Sequence, residues 1–438
     1  MKNDARFHAL KILKKYYSQS DRLNRIRDHY FKYNSMVQQD LSRTIVLTNE
    51  VVRWESRLDG WIASNLDKPI SKLHPSILII LRLGFYEALM DDAIPPHAVV
   101  HSWVELTKKM MNKKLGGLVN AVMRKIIYID PSVQPRHVPL SEWLSYPEWI
   151  VNKWINQFGE KNTVALCKYF NDHSSTDIRI NVWKNGQLNI KSALDGLGIT
   201  WDYRPNSTEF IQISKGVSKL LKSEWFRMGM IHIQNRASGA VVDLLAPKPN
   251  ETILDVCAAP GTKTNYIVEK QKGEGTVIAS DISPTRIKKG RSRSEALGYP
   301  VEWICKDASL DTFPMADRIL IDAPCTGTGV MGRRPDIRWR REKEDVQSMA
   351  NIQLAILNHM SQFLRPNGVL VYATCSLEVE ENWNVVESFL KLNDNFFLEF
   401  GKDFIPKSWL NKQNCLATFP PRDKVDGMFA ARLKKNDQ

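Results

Sequence analysis

The sequence lacks a long apolar run, a signal-like amino terminus and paired cysteines. The apolar run from Ile77 to Leu81 ends at Arg82 and is far shorter than the roughly 20 residues of a membrane helix. The first residues, MKNDARFHAL, contain no continuous apolar core of the kind that signal peptides have. None of the six cysteines belongs to a CxxC pair or lies at zinc spacing from a histidine. We therefore expect a soluble, cytoplasmic protein with no membrane contact and no bound metal.

Internal repeats and low-complexity tracts are absent as well. The composition, 43% hydrophobic and 25% charged residues, is that of a globular protein and excludes widespread disorder. A chain of 438 residues is too long for one ordinary core, so we expect two or three domains.

Positive charge is in excess, with a formal net charge of +13 and a pI near 9.3. Residues 1–140 carry 22 Lys and Arg but 13 Asp and Glu, a net charge of +9 on the first third of the chain. Basic side chains that contact phosphates release counterions, so this region suits a polyanion. By charge alone, a solvated basic surface is an equally good interpretation.

The first 130 residues are predicted to form a helical bundle. Phe7, Leu10, Leu13 and Tyr17 recur at helical spacing, and prolines separate the later segments. Residues 131–147 contain four prolines, which predicts a stiff linker.

A small α/β module is predicted over residues 148–232, and a second pattern begins at 233. The module opens with an amphipathic helix, Glu148–Phe158, and its strands are predicted at Thr176–Val182, Ile199–Tyr203 and Phe210–Ile213. Residues 233–438 alternate strand and helix, which predicts a parallel, doubly wound sheet. Its strands are predicted at Thr252–Val256, Thr276–Ser280, Val301–Cys305, Ile319–Asp322 and Gly368–Thr374.

A loop of small residues follows the first strand of this sheet. Small residues allow a ligand to approach the backbone, and ligands of open α/β sheets bind at the carboxyl ends of the strands. The loop is not the phosphate-binding loop of ATPases, because Cys257 and Thr262 occupy the two positions where that motif has glycine. Asp281, at the end of the second strand, is placed to hold ribose hydroxyls, and Asp307, after the third, suits an adenine amino group.

Three motifs carry a family resemblance. Cys257-Ala-Ala-Pro-Gly-Thr-Lys263, Asp322-Ala-Pro-Cys325 and Thr374-Cys-Ser376 resemble the signature motifs of the 5-methylcytosine RNA methyltransferases. The family usually has glycine where this chain has Thr262. The resemblance implies a class I, Rossmann-like methyltransferase domain that binds S-adenosylmethionine. The implied cofactor-binding residues are Cys257, Ala258, Ala259, Pro260, Gly261, Thr262, Lys263, Asp281, Asp307 and Asp322.

The reaction implied by this resemblance needs a nucleophilic cysteine. Carbon 5 of cytosine becomes nucleophilic after a thiolate adds to carbon 6, and the chemistry also needs an acid near ring nitrogen 3 and a base. Cys325 and Cys375 both follow strands of the sheet, and the residue types leave open which of them attacks. DNA cytosine methyltransferases use the Pro-Cys cysteine, whereas the resembled RNA enzymes use the Thr-Cys-Ser cysteine. The resemblance therefore implies Cys375 as nucleophile, Cys325 as helper in product release and Asp322 beside the pyrimidine.

Three further cysteines and one basic segment lie outside these motifs. Cys167, Cys305 and Cys415 are predicted to be buried core residues, as free cysteines usually are. Five arginines and a tryptophan within residues 332–341 favour contact with phosphates and bases. A charged surface helix is the alternative for that segment.

The amino-terminal region has a resemblance of its own. Pro95–Val100 and Gly117–Arg124 resemble segments of NusB-like helical domains, which implies RNA binding by the first domain. Over nearly the whole chain, the sequence resembles the bacterial small-subunit ribosomal RNA methyltransferases of the Sun family. We therefore expect a monomeric enzyme acting on 16S ribosomal RNA. The alternatives are the same chemistry on transfer RNA, or a non-catalytic RNA-binding assembly factor.

Overall fold

The structure is a computed structural model that describes residues 4–91, 94–172, 176–185, 190–203 and 209–437. Its helices are α1 (Ala5–Ser18), α2 (Leu23–Tyr33), α3 (Gln38–Arg53), α4 (Glu55–Ala63), α5 (Pro75–Leu89), α6 (Pro96–Met110), α7 (Lys113–Met123), α8 (Leu140–Leu144), α9 (Glu148–Phe158), α10 (Glu160–Asn171), α11 (Val182–Asn185), α12 (Ile190–Gly196), α13 (Val217–Lys222), α14 (Glu224–Arg227), α15 (Arg236–Leu245), α16 (Thr262–Lys270), α17 (Pro284–Ala296), α18 (Ile337–Arg340), α19 (Lys343–Ser361), α20 (Trp383–Leu392) and α21 (Pro420–Asp423). Its strands are β1 (Thr176–Ile180), β2 (Thr200–Tyr203), β3 (Phe210–Lys215), β4 (Ile231–Ile233), β5 (Thr252–Val256), β6 (Thr276–Asp281), β7 (Val301–Cys305), β8 (Ala316–Asp322), β9 (Leu364–Thr374), β10 (Phe396–Leu398), β11 (Leu416–Ala417) and β12 (Phe429–Lys435). No helix in this described part of the chain is long and apolar enough to cross a membrane.

A helical unit comprises the described residues up to 172 together with 331–341. Its central helix is α5, which is apolar on nearly every side and packs against α1, α3, α4, α6 and α7. The buried Arg82 on α5 donates two hydrogen bonds to Asp59, at 2.7 and 2.6 Å, so its charge is compensated. This confirms the predicted helical bundle. The proline-rich segment 131–147 is not wholly a linker, because it contains α8.

The arginine-rich segment 332–341 belongs to this helical unit, and Arg338 lies in its interior. Arg338 is fully buried, and its guanidinium lies 3.8 Å from the ring of Tyr146. Arg338 Nη1 donates to the carbonyl oxygens of Arg53 (3.1 Å) and Ser145 (2.9 Å) and to Oδ1 of Asn171 (2.9 Å).

The prediction that this whole segment contacts RNA is therefore wrong for its central residues. Trp339 Nε1 donates to the carbonyl of Val52 at 2.7 Å, and Arg340 donates to the carbonyl of Tyr16 at 2.6 Å. A guanidinium has five donors and satisfies unpaired helix-end carbonyls as readily as phosphates. The composition alone did not distinguish the two roles.

A second unit comprises the described residues from 176 to 330 and from 342 to 437. It contains a small antiparallel sheet in the order β2-β3-β1-β4 and a large sheet in the order β10-β12-β9-β8-β5-β6-β7, with β11 beside β12. Strands β9, β8, β5, β6 and β7 are parallel. Because both faces of the central strands are buried, their sequences are nearly continuous apolar runs.

This arrangement confirms the predicted fold class and adds an antiparallel edge. Strand β12 pairs antiparallel with β9 and β10, and the sequence analysis assigned no strand there. The five parallel strands end at one edge of the sheet, where Val256 pairs with Ser280 and Ile321, and Asp322 pairs with Ala373.

The cysteines outside this edge divide differently from the prediction. Cys167 and Cys415 are buried as expected. The prediction was wrong for Cys305, which is exposed. Cys305 ends β7, the edge strand of the parallel sheet, which pairs with a neighbouring strand on one side and has none on the other.

Candidate active site

The loop between β5 and α16 turns sharply at the strand edge. Cys257 has a φ of 59° and Gly261 a φ of 96°. A Cβ on Gly261 would lie 2.9 Å from the Trp303 ring, so both its backbone angle and the close packing require glycine. The Ala258 N–H donates to the Ser280 carbonyl at 2.8 Å and ties the loop to the end of β6. Thr262, the departure from the family motif, is the exposed first residue of α16.

Asp255 lies beneath this loop and is fully buried. Its Oδ2 accepts a hydrogen bond from the Thr264 hydroxyl at 2.6 Å. Burial raises the pKa of Asp255 to about 7, and the charges of Asp322 and Asp281 act in the same direction. Asp255 was not among the predicted site residues, although it lies two residues before the motif that begins at Cys257.

Asp281 is already engaged at the end of β6. Its carboxylate accepts hydrogen bonds from the N–H groups of Ala259 (3.2 Å) and Ser283 (3.0 Å). Arg286 forms an ion pair with the same carboxylate at 2.9 Å. A ribose hydroxyl would therefore compete with Arg286 for the Asp281 oxygen atoms.

Asp307 lies two residues beyond the end of β7 and is half-buried. Hydrogen bonds from Ser309, through its hydroxyl at 2.6 Å and its N–H at 2.8 Å, lower the pKa of Asp307 below its ordinary value. The carboxylate thus stays charged at the third neighbouring strand end.

Asp322, the last residue of β8, and Lys263, in the first turn of α16, form an ion pair of 2.8 Å. Burial alone would lower the pKa of Lys263, but the carboxylate of Asp322 and charge on Cys375 outweigh it, so this pKa is raised. Lys263 is therefore a firmly held cation within electrostatic reach of Cys375.

The two cysteines of the candidate site meet between β8 and β9. Cys325 follows β8, Cys375 follows β9, and their sulfur atoms lie 3.2 Å apart as free thiols. The hydrogen bond with Cys375, followed by burial, raises the pKa of Cys325 well above its ordinary value. Negative charge on Cys375 and on Glu381 adds to this effect. Cys325 therefore holds its proton more firmly than an ordinary cysteine.

Glu381 connects the two cysteine loops from below and was missed by the sequence analysis. Its fully buried carboxylate accepts from the Ser376 hydroxyl at 2.6 Å, and from the Thr326 hydroxyl and N–H, the latter at 2.8 Å. The side chain of Gln353 donates to it at 2.9 Å. Because Thr326 follows Cys325 and Ser376 follows Cys375, one carboxylate holds both loops. Three glutamates within residues 378–381, directly after a buried strand, were the available signal.

The structure thus brings together every residue predicted for the site. Residues 257–263, Asp281, Asp307, Asp322, Cys325 and Cys375 all lie at the carboxyl edge of the parallel strands. Chemically, these residues offer three carboxylates, one lysine and three thiols, of which those of Cys325 and Cys375 are in contact. Among the described residues, no three His, Cys, Asp or Glu side chains are grouped so as to hold a metal ion.

Comparison with protein families gives three matches along the chain. Residues 242–434 match the model described as 16S rRNA methyltransferase RsmB/F, and residues 3–128 match the NusB family. Residues 146–218 match the ferredoxin-like domain of RsmF/B-like methyltransferases.

Curated relatives match over most of their length. The probable ribosomal RNA small subunit methyltransferase B of Synechocystis sp. is 30% identical over 396 residues, covering 88% of this chain and 89% of the relative. The ribosomal RNA small subunit methyltransferase B of Pasteurella multocida is also 30% identical, covering 91% and 89%.

Solved structures share the fold. The crystal structure of PH0851 has a TM-score of 0.81 at 23% identity and covers 99% of both chains. NSun6 from Pyrococcus horikoshii has a TM-score of 0.59 at 22% identity, covering 66% of this chain and 98% of its own.

Proposed function

Since the chain belongs to the 16S rRNA methyltransferase RsmB/F family, we propose that it methylates carbon 5 of a cytidine in small-subunit ribosomal RNA, with S-adenosylmethionine as methyl donor. The observation that carries this proposal is the contact between the free thiols Cys325 and Cys375 beside the loop at residues 257–263. The names of the curated relatives support the ribosomal substrate.

The strand edge fits S-adenosylmethionine in its chemistry. The cofactor, when bound, supplies an electrophilic methyl group on a positively charged sulfur. Three carboxylates at neighbouring strand ends suit such a cation, and Asp281 and Asp307 suit its ribose and adenine. Gly261 permits the sharp turn of the loop against Trp303. We assign residues 257–263 with Asp281, Asp307 and Asp322 to this site.

Cys375 is the proposed nucleophile. Its thiolate adds to carbon 6 of the cytosine, the ring electrons move toward nitrogen 3, and that nitrogen takes up a proton. The resulting enamine makes carbon 5 nucleophilic enough to accept a methyl group. A base then removes the proton on carbon 5, the bond between sulfur and carbon 6 breaks to free the thiolate, and nitrogen 3 returns its proton, which restores the aromatic ring.

The electrostatics support this assignment of the two thiols. The hydrogen bond with Cys375 and burial raise the pKa of Cys325, while Lys263 lies within electrostatic reach of Cys375 and favours a negative charge there. Cys325 accordingly assists release of the methylated product. Asp322, half-exposed and paired with Lys263, is proposed to hold the pyrimidine edge.

Bisulfite sequencing of ribosomal and transfer RNA from a strain without the protein tests the substrate. One 5-methylcytidine should disappear from small-subunit ribosomal RNA, whereas a loss confined to transfer RNA would overturn the assignment. Purified variants test the mechanism. Cys375→Ala should abolish methyl transfer, Cys325→Ala should accumulate a protein–RNA adduct on a denaturing gel, and the control Cys305→Ala should keep its activity. If Cys325→Ala abolished methyl transfer and Cys375→Ala accumulated the adduct, Cys325 would be the nucleophile and Cys375 the residue that assists release.

A further inference from the structure

We propose that a groove between α6 and α7 of the helical unit binds the phosphate backbone of single-stranded RNA. This rests on the proposed function and deepens it, because it names the surface that holds the RNA substrate. The groove has a volume of about 710 Å³, within the range of roughly 300–1,000 Å³ typical of ligand clefts. The groove lies in the helical unit, whereas Cys325 and Cys375 belong to the second unit.

The charge of the groove is positive. Its lining includes Lys108, Lys113 and Arg124 against a single acid, Glu105. That acid is paired with Lys108 at 2.7 Å. Lys113 and Arg124 are exposed, and neither forms an ion pair within the described part of the chain. The groove therefore presents two uncompensated cations to a ligand, as a polyanion requires.

Helical spacing places the basic and histidine side chains that α6 contributes to the groove on the same helix face. On α6, His97, His101 and Lys108 recur at intervals of four and seven residues, which places them on one face of the helix. Lys113 begins α7 and Arg124 directly follows its last residue, and both line the groove. The two exposed imidazoles add hydrogen-bonding groups between the cations.

Gly117 gives a second, independent observation. It is an exposed glycine within α7, where glycine is less favourable than alanine, and a Cβ built on it meets nothing within 4 Å. The neighbouring Gly116 is different, since its Cβ would lie 2.5 Å from Cγ of Lys108. Packing thus explains Gly116 but not Gly117, which lines the groove. The bare backbone allows close approach of a ligand.

The groove suits a nucleic acid strand better than an apolar helix. Beside the cations it offers the apolar side chains of Val100 and Ile127, and Ile127 is 77% exposed. Cations that flank exposed apolar surface match a strand that has phosphates on one side and bases on the other. The net charge of +9 on residues 1–140 acts in the same direction.

Binding of a fluorescein-labelled uridine dodecamer to the full-length protein tests the charge argument. Each phosphate contact contributes about 0.7 to the slope of log affinity against log salt. The variant Lys113→Ala/Arg124→Ala should therefore lose about 1.4 of that slope and about 25-fold in affinity at 0.1 M salt. The control Lys68→Ala/Lys72→Ala removes the same charge from exposed positions of the same unit outside the groove. Equal losses in the two double variants would overturn the proposal.

Gly117→Ala separates the groove from general electrostatics, because it changes no charge. It should raise the melting temperature and weaken binding of the dodecamer, and a stabilised variant with unchanged affinity would overturn the proposed close approach. Failure of the wild-type protein to methylate ribosomal RNA would instead refute the proposed function, and the dodecamer measurements would still decide the groove.

Discussion

Replacement of Glu381 by alanine tests how the two cysteine loops are held. The wild-type carboxylate accepts hydrogen bonds from Ser376, Thr326 and Gln353 in a fully buried position. In the alanine variant the two hydroxyls have an alternative, because Thr326 Oγ1 and Ser376 Oγ lie 3.2 Å apart and can bond to each other. The Thr326 N–H and one N–H of Gln353 lose their acceptor. At about 1–3 kcal/mol for each buried donor, the expected destabilisation is about 2–6 kcal/mol.

Glutamine at the same position should cost much less. Its carbonyl oxygen can replace the carboxylate oxygen that faces the two N–H donors, and its amino group can donate to the two hydroxyls, which accept as well as donate. Glu381→Gln then exchanges charged hydrogen bonds for neutral ones, a loss of about 1–2 kcal/mol. The negative charge that raises the pKa of Cys325 disappears with it, so that pKa should fall.

Urea unfolding of the full-length chain gives the free energies, and hydrogen exchange in β8 and β9 assigns any change to the second unit. Glu387→Ala is the matched control, since Glu387 is half-exposed and forms a surface pair of 3.1 Å with Lys391. The control should stay within about 0.5 kcal/mol of wild type. The bridging role would be refuted by Glu381→Ala within about 1 kcal/mol of wild type, or by glutamine and alanine variants that are equally unstable.

Two further predictions concern buried charge. Because burial raises the pKa of Asp255 to about 7, the native protein keeps a proton that the unfolded chain loses near pH 4. The free energy of unfolding of the wild type should therefore fall by about 4 kcal/mol between pH 4 and 7, and that of Asp255→Asn should lack this decrease. A difference between the two proteins that does not change with pH would contradict this prediction. Arg338→Ala should destabilise the protein by about 3–5 kcal/mol and leave the salt dependence of RNA binding unchanged. The control Arg334→Ala, at an exposed position, should stay within about 0.5 kcal/mol of wild type. A weaker salt dependence of RNA binding in Arg338→Ala would show instead that Arg338 contacts phosphates.

The parallel sheet was predictable because its sequence signals are local. Strands β5 and β7 have the predicted bounds, since apolar runs flanked by turns specify buried strands without reference to distant residues. Strand β12 was missed because Phe429–Lys435 contains two alanines and ends in polar residues, and its place in the sheet comes from pairing with β9. The domain boundaries at 130, 147 and 232 stay predictions.

Burial of individual polar residues was the least predictable property. The arginines of residues 332–341 have the composition of a phosphate-binding segment, yet Arg338 donates to carbonyls of residues 167 to 285 positions away in sequence. Such contacts depend on the completed packing of the helical unit. Cys305 illustrates the converse, since its exposure follows from the position of β7 at the edge of the sheet, which strand patterns do not specify.

The choice between the two thiols shows where sequence reasoning ends and structure adds to it. Cys325 and Cys375 both follow strands and lie in polar loops, so their local sequences predict the same reactivity. In the folded chain their surroundings differ. The negative charge of Glu381 contributes to the raised pKa of Cys325, whereas charge on Cys375 contributes to the raised pKa of Lys263. These surroundings support the proposal that a negative charge shared by the pair rests on Cys375. The asymmetry arises from residues on separate segments, brought together only by the order of β9, β8 and β5 in the sheet.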